Sequence, residues 1–119
     1  MADAKPTLFH NPQCSKSRGA KELLDTSGVD YELVEYLKAP PTKAELERIV
    51  DLIDDPPAAL VRSKDPKFKD LGLDAKDYTD KKSVVALLVE HPQLMERPVV
   101  IKGNKAAIGR PLENISAIL

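Results

Sequence analysis

The chain has a single cysteine, Cys14, so no disulfide can close within it. Its fold therefore owes nothing to cross-links, a reducing context is expected, and any thiol redox cycle must take its second thiol from another molecule. Long apolar runs are missing too. No stretch approaches the roughly 18 apolar residues that a membrane span needs, and the start, Met1-Ala2-Asp3-Ala4-Lys5, carries no apolar leader. A cytoplasmic location without a membrane partner is expected. Neither sign of charge dominates: 18 Lys and Arg stand against 19 Asp and Glu, evenly spread. Without a basic face, nucleic acid is not expected as a direct partner. Repeats and low-complexity tracts are absent, and 119 residues suffice for one core, so a single domain is expected over 1–119.

What is present reads as alternating elements. Thr7-Leu8-Phe9-His10 suits a short strand turned by Asn11-Pro12. From Ser15, Ala20, Leu23 and Leu24 keep helical spacing until Ser27-Gly28, where glycine tolerates left-handed geometry. Tyr31 to Tyr36 reads as a second strand, parallel to the first because a helix crosses between them. After Pro40-Pro41 a capping box, Thr42-Lys43-Ala44-Glu45, opens a helix with Leu46, Ile49, Val50 and Ile53 on its buried stripe. Ala58 to Arg62 suits a short helix, Asp65-Pro66 and Leu71-Gly72 punctuate a loop, and Thr79-Asp80 caps a helix ending at His91-Pro92. Residues 41–92 thus form a helical insertion without strand signal. Val99 to Lys102 and Lys105 to Ile108 flank Gly103-Asn104 as a hairpin, and Gly109-Arg110-Pro111 opens a last helix with Leu112, Ile115 and Leu119 for the core. The order β-α-β, helical insertion, β-β-α implies an α/β thioredoxin-like fold with a mixed sheet.

Cys14 sits where the first strand turns into the first helix, in His10-Asn11-Pro12-Gln13-Cys14-Ser15-Lys16-Ser17-Arg18. A helix start gathers unpaired N–H groups and partial positive charge, which favour a thiolate or a bound oxyanion. With Lys16 and Arg18 as neighbouring cations, the thiol is expected to ionise more readily than a free cysteine.

This run, together with Glu96-Arg97-Pro98-Val99-Val100 and Ile108-Gly109-Arg110-Pro111, resembles the glutaredoxin-linked arsenate reductase family (ArsC-like) over essentially the whole chain. The resemblance implies that Cys14 attacks arsenate, that Arg62, Arg97 and Arg110 bind the oxyanion, that His10 influences the thiol, and that the bond before Pro98 is cis. It also implies glutathione as co-substrate, a glutaredoxin as external reductant, and no tightly bound cofactor or metal. The chemistry asks for such residues: guanidinium forks match tetrahedral oxyanions through paired hydrogen bonds and neutralise charge that would otherwise repel a thiolate.

Plainer roles stand beside these. His10 is as readily a hydrogen-bonded packing histidine as a thiol modulator. Ser15 and Ser17 donate to the thiolate or cap the helix, and capping is the better expectation. Arg18, one turn into the helix, and Pro98 are secondary site candidates. Arg97 and Arg110 gain from lying beside prolines at strand ends, whereas Arg62 rests on the resemblance alone. Ser15-Lys16 follows the cysteine where established arsenate reductases carry Gly-Thr, which places the chain near the arsenate-reductase-like branch. Ser17 fills the second position of a C-x-x-C redox switch, so an internal disulfide switch is excluded. Two alternatives remain at this level: a glutathione-dependent thiol oxidoreductase acting on another substrate, and an RNA polymerase-binding transcription regulator.

Overall fold

The computed structural model describes residues 5–119; the leaderless start expected at 1–4 lies outside them. Four short strands, β1 (Thr7–His10), β2 (Glu32–Glu35), β3 (Val99–Lys102) and β4 (Lys105–Ile108), form one mixed sheet in the order β2-β1-β3-β4. β1 and β2 are parallel, with Leu8 opposite Leu33, and β3 runs antiparallel to both β1 and β4. This is the thioredoxin-like sheet that the element order implied.

Side chains alternate across a strand, and the core divides accordingly. Phe9, Val99, Ala106 and Ile108 face the helices between β2 and β3, while Leu8, Val100 and Ala107 face the opposite layer. That second layer is made by α1 (Ser15–Ser27), through Ala20 and Leu24, and by the one-turn α5 (Glu113–Ser116), through fully buried Ile115. Leu112 and Leu119 are only partly buried against it. Gly28 ends α1 in the left-handed region at φ 77°, where a Cβ would be strained.

Between β2 and β3 lie α2 (Lys43–Leu52), α3 (Pro66–Asp70) and α4 (Lys81–Glu90), with single 3₁₀ turns at Pro57–Leu60, Ala75–Asp77 and Pro92–Leu94. Thr42 and Glu45 form the reciprocal capping box that their spacing implies: Thr42 Oγ1 accepts from Glu45 N at 3.1 Å and Thr42 N donates to Glu45 Oε1 at 2.9 Å.

Two readings of this region need correction. The loop expected between Asp65 and Gly72 contains α3, because Asp65 caps it by accepting from Lys67 N at 2.8 Å and Pro66 occupies its first turn, where no N–H is needed. The short helix expected over Ala58 to Arg62 stops at Leu60. Beyond it Val61 pairs with Met95 as an isolated antiparallel bridge, flanked by Arg62 N donating to Leu94 O and Glu96 N donating to Leu60 O, each at 2.7 Å. The insertion therefore does contain extended backbone. Periodicity missed it because it is too short to show an alternation.

Candidate active site

Cys14 is the N-cap of α1, with extended backbone at φ −99° and ψ 124°, and is only 8% exposed. A turn shapes its approach from β1: Asn11 Oδ1 accepts from Gln13 N at 2.9 Å, and Asn11 O accepts from Cys14 N at 3.0 Å. Cys14 O then accepts the first helical bond, from Arg18 N, at 3.0 Å. Burial pushes the thiol pKa upward, but the Ser17 amide, the Arg97 charge and the Lys16 amide outweigh it, and the net shift is downward. The thiolate is thereby favoured at the helix start.

The source of that effect differs from the sequence reading. Lys16 and Arg18 are exposed, and Lys16 contributes its backbone N–H rather than its ammonium. The charge that lowers the thiol pKa is that of Arg97, from the segment entering β3. Long side chains in the first turn of a surface helix reach water readily, whereas the loops at the strand ends converge over the helix start.

Ser17 is also corrected. It does not cap α1, whose N-cap Cys14 has no side-chain cap hydrogen bond. Its fully buried Oγ lies 2.7 Å from His10 Nδ1 and accepts from Asn11 N at 2.9 Å, pinning the end of β1 to the first turn of α1. Ser15 is exposed as the first helical residue and is likewise not the cap. His10 is 4% exposed, and its pKa is lowered chiefly by that burial, against the opposing influence of Glu35. A neutral imidazole is therefore favoured, held to the serine whose amide acts on the thiol.

The three arginines meet although they come from three segments. Arg62, Arg97 and Arg110 line one cavity of about 450 Å³, together with Ser63, Lys64 and Glu96. Arg110 connects this cavity to the cysteine: its Nη2 is 3.8 Å from Cys14 Sγ and its Nε donates to Arg97 O at 2.8 Å. Arg62 arrives through the bridge between Val61 and Met95. The peptide before Pro98 is cis, as the resemblance implied, and so is the one before Pro111. On the other flank of Arg110, Lys16 and Glu113 line a smaller recess of about 360 Å³. Arg18 is exposed on α1, where its backbone N donates to Cys14 O.

Two acids missed in the sequence complete the site. Asp65 Oδ2 lies 2.7 Å from Arg62 Nη1, and Glu96 Oε1 lies 3.1 Å from Arg110 Nε. Asp65 follows Arg62 by three residues, a spacing that was readable as a local ion pair. Glu96 pairs with Arg110 across the base of the β3–β4 hairpin, a spacing that no helical or strand periodicity shows. Arg97 Nε is buried and has no hydrogen-bond partner among the described residues. A buried donor without a partner is costly, and here it belongs to a cluster suited to an anion.

The sequence profile of the ArsC family matches residues 9–118. A protein named arsenate reductase from Neisseria meningitidis serogroup A is 45% identical over 113 residues, covering 94% of this chain and 96% of that protein. An arsenate reductase of Escherichia coli strain K12 is 32% identical, covering 95% of this chain and 79% of its own length. Among solved structures, an arsenate reductase from Vibrio cholerae superposes with a TM-score of 0.86 at 34% identity, covering 98% of this chain and 99% of that one.

Proposed function

The chain belongs to the ArsC family, and from that membership and the site's chemistry we propose that it reduces arsenate to arsenite at Cys14 in the cytoplasm. Glutathione serves as co-substrate and a glutaredoxin as the final reductant. The observation that carries this reading is the meeting of Cys14 with arginines: Arg110 Nη2 lies 3.8 Å from Sγ and lines the same cavity as Arg62 and Arg97. Relatives that align along nearly the whole chain bear the name arsenate reductase.

In this reading Arg62, Arg97 and Arg110 hold the oxyanion through charge-assisted hydrogen bonds. The Cys14 thiolate attacks arsenic and forms an S–As bond, and one arsenate oxygen leaves as water after taking up a proton. The thiolate of glutathione then attacks Cys14 Sγ. The S–As bond breaks with its electron pair going to arsenic, which passes from the pentavalent to the trivalent state and departs as arsenite. Cys14 is left in a mixed disulfide with glutathione. A glutaredoxin thiolate attacks the glutathione sulfur and releases the Cys14 thiolate. His10 and Ser17 hold the end of β1 against the first turn of α1, where the Ser17 amide favours the thiolate. The chain supplies one thiol, so both reducing equivalents come from outside.

Purified protein given arsenate, glutathione and glutaredoxin is expected to yield arsenite, and Cys14→Ser to yield none. Turnover in the serine variant would falsify this mechanism. If the natural protein forms the Cys14–glutathione disulfide with glutathione disulfide but never releases arsenite, it is a thiol oxidoreductase acting on another substrate.

A further inference from the structure

Glu96 is an acid inside a site built for an anion. Glu96 lines the cavity with Arg62, Arg97 and Arg110, and its Oε1 has three neighbours. Arg110 Nε lies at 3.1 Å, the Arg97 backbone N–H donates at 3.2 Å, and Arg97 Nη1 stands at 3.9 Å. All three contacts use Oε1, so Oε2 keeps its accepting capacity among the described residues, and Arg97 Nε is buried without a partner. Lys64 and Asp65 also line the cavity, and Asp65 is already engaged by Arg62. The cluster thus combines several N–H donors with a carboxylate oxygen.

An ionised carboxylate can only accept hydrogen bonds. Beside a bound oxyanion it attracts an oxygen that bears a proton and repels one that does not. Arsenate and phosphate keep at least one O–H near neutral pH, whereas sulfate keeps none. A site that pairs with a ligand hydroxyl discriminates strongly against an analogue lacking it, because the buried acceptor is then unpaired and faces like charge.

We propose that Glu96 is a specificity-determining residue that makes the arginine cluster select protonated tetrahedral oxyanions over fully ionised ones. The proposal rests on the oxyanion site of the function proposed above. It does not depend on which protonated oxyanion is turned over. Glu96 holds Arg110 by its Nε, so Nη2 stays directed at Cys14, and Oε2 receives the O–H of the bound anion.

The test uses the natural, reduced protein and follows the rate at which iodoacetamide alkylates Cys14 while phosphate or sulfate is titrated in. A bound anion beside the sulfur slows alkylation whether or not any turnover occurs. Half-maximal protection by phosphate is expected at a concentration at least about tenfold below that for sulfate, as one charge-assisted hydrogen bond allows. In Glu96→Gln and Glu96→Ala the two anions should come within about threefold of each other, the sulfate requirement falling. A purely structural role for Glu96 would weaken both anions together and leave their ratio unchanged. Equal protection by the two anions in the natural protein, protection by neither, or an unchanged ratio in both variants would each overturn the proposal. Arsenite formation is measured in parallel. The expected ratio without arsenite would remove arsenate as substrate and leave the selectivity of Glu96 standing.

Discussion

Arg110 Nη2 lies 3.8 Å from the sulfur of Cys14, across 96 positions of sequence. The contact forms because β1, which leads into Cys14, pairs with β3, and β3 pairs with β4, which leads into Arg110. The sheet order therefore places the oxyanion-binding candidate beside the nucleophile candidate.

Replacing Arg110 with alanine removes a charge-assisted donor worth about 1.5–3 kcal/mol. Arsenate concentration for half-maximal turnover should rise roughly ten- to a hundredfold. Steady-state arsenite formation across an arsenate titration measures it, and an unchanged KM would separate Arg110 from substrate binding.

Replacing Arg97 with glutamine should move the pH profile of Cys14 alkylation to higher pH. Burial raises the thiol pKa, and the Ser17 amide, the Arg97 charge and the Lys16 amide together lower it by more. Deleting the Arg97 charge lets burial weigh more heavily. The folded pKa lies below its unfolded value, so the thiolate's contribution to stability is present above the unfolded pKa and is lost as pH falls through the folded one. That increment should shrink in the variant, which denaturation at two pH values can detect.

Folding stability should fall on mild acidification because of His10. Its pKa is lowered in the folded state, chiefly by burial, so the unfolded chain binds a proton that the native site resists. Native stability is unaffected well above the ordinary histidine value and declines as pH drops below it toward the folded pKa. One such group changes stability by at most about 1.4 kcal/mol per pH unit. Urea titrations should show a shallower slope between neutral pH and mild acid in His10→Gln, and an identical slope would dismiss this assignment.

Gly109→Ala should destabilise the fold by about 1–3 kcal/mol through overpacking. An added Cβ would stand 2.6 Å from Ile115 Cδ1 and 2.7 Å from Pro98 Cγ, both held in place by neighbouring structure. Gly109 N also donates to Pro98 O at 2.8 Å, so any shift to relieve the clash disturbs the segment that carries Arg97. The denaturation midpoint and the arsenate KM are expected to change together.

Local signals were legible where neighbours in sequence are also neighbours in space. Thr42 with Glu45, Gly28 after α1, Asp80 before α4 and Gly103 in the hairpin each act within a few residues of themselves. The placement of Cys14 at a helix start was legible for the same reason. The α3 signal in Asp65-Pro66 was present but outweighed by the nearby glycine, and the isolated bridge at Val61 had no pattern long enough to detect. Ser17 looked like a cap from its position, yet its hydroxyl turns toward His10 and Asn11 because β1 ends beside that face of the helix.

By itself the sequence determined that the chain has one thiol, that this thiol opens a helix after a strand, and that any thiol redox cycle must take its second thiol from another molecule. These follow from residue identity and from spacing over a few positions. Only the tertiary structure decided that Arg97, rather than Lys16 or Arg18, acts on the thiol, that Arg62 reaches the cavity, and that Glu96 stands among the arginines. Electrostatic effects depend on distance through space, and strand pairing brings together charges that the chain itself holds far apart.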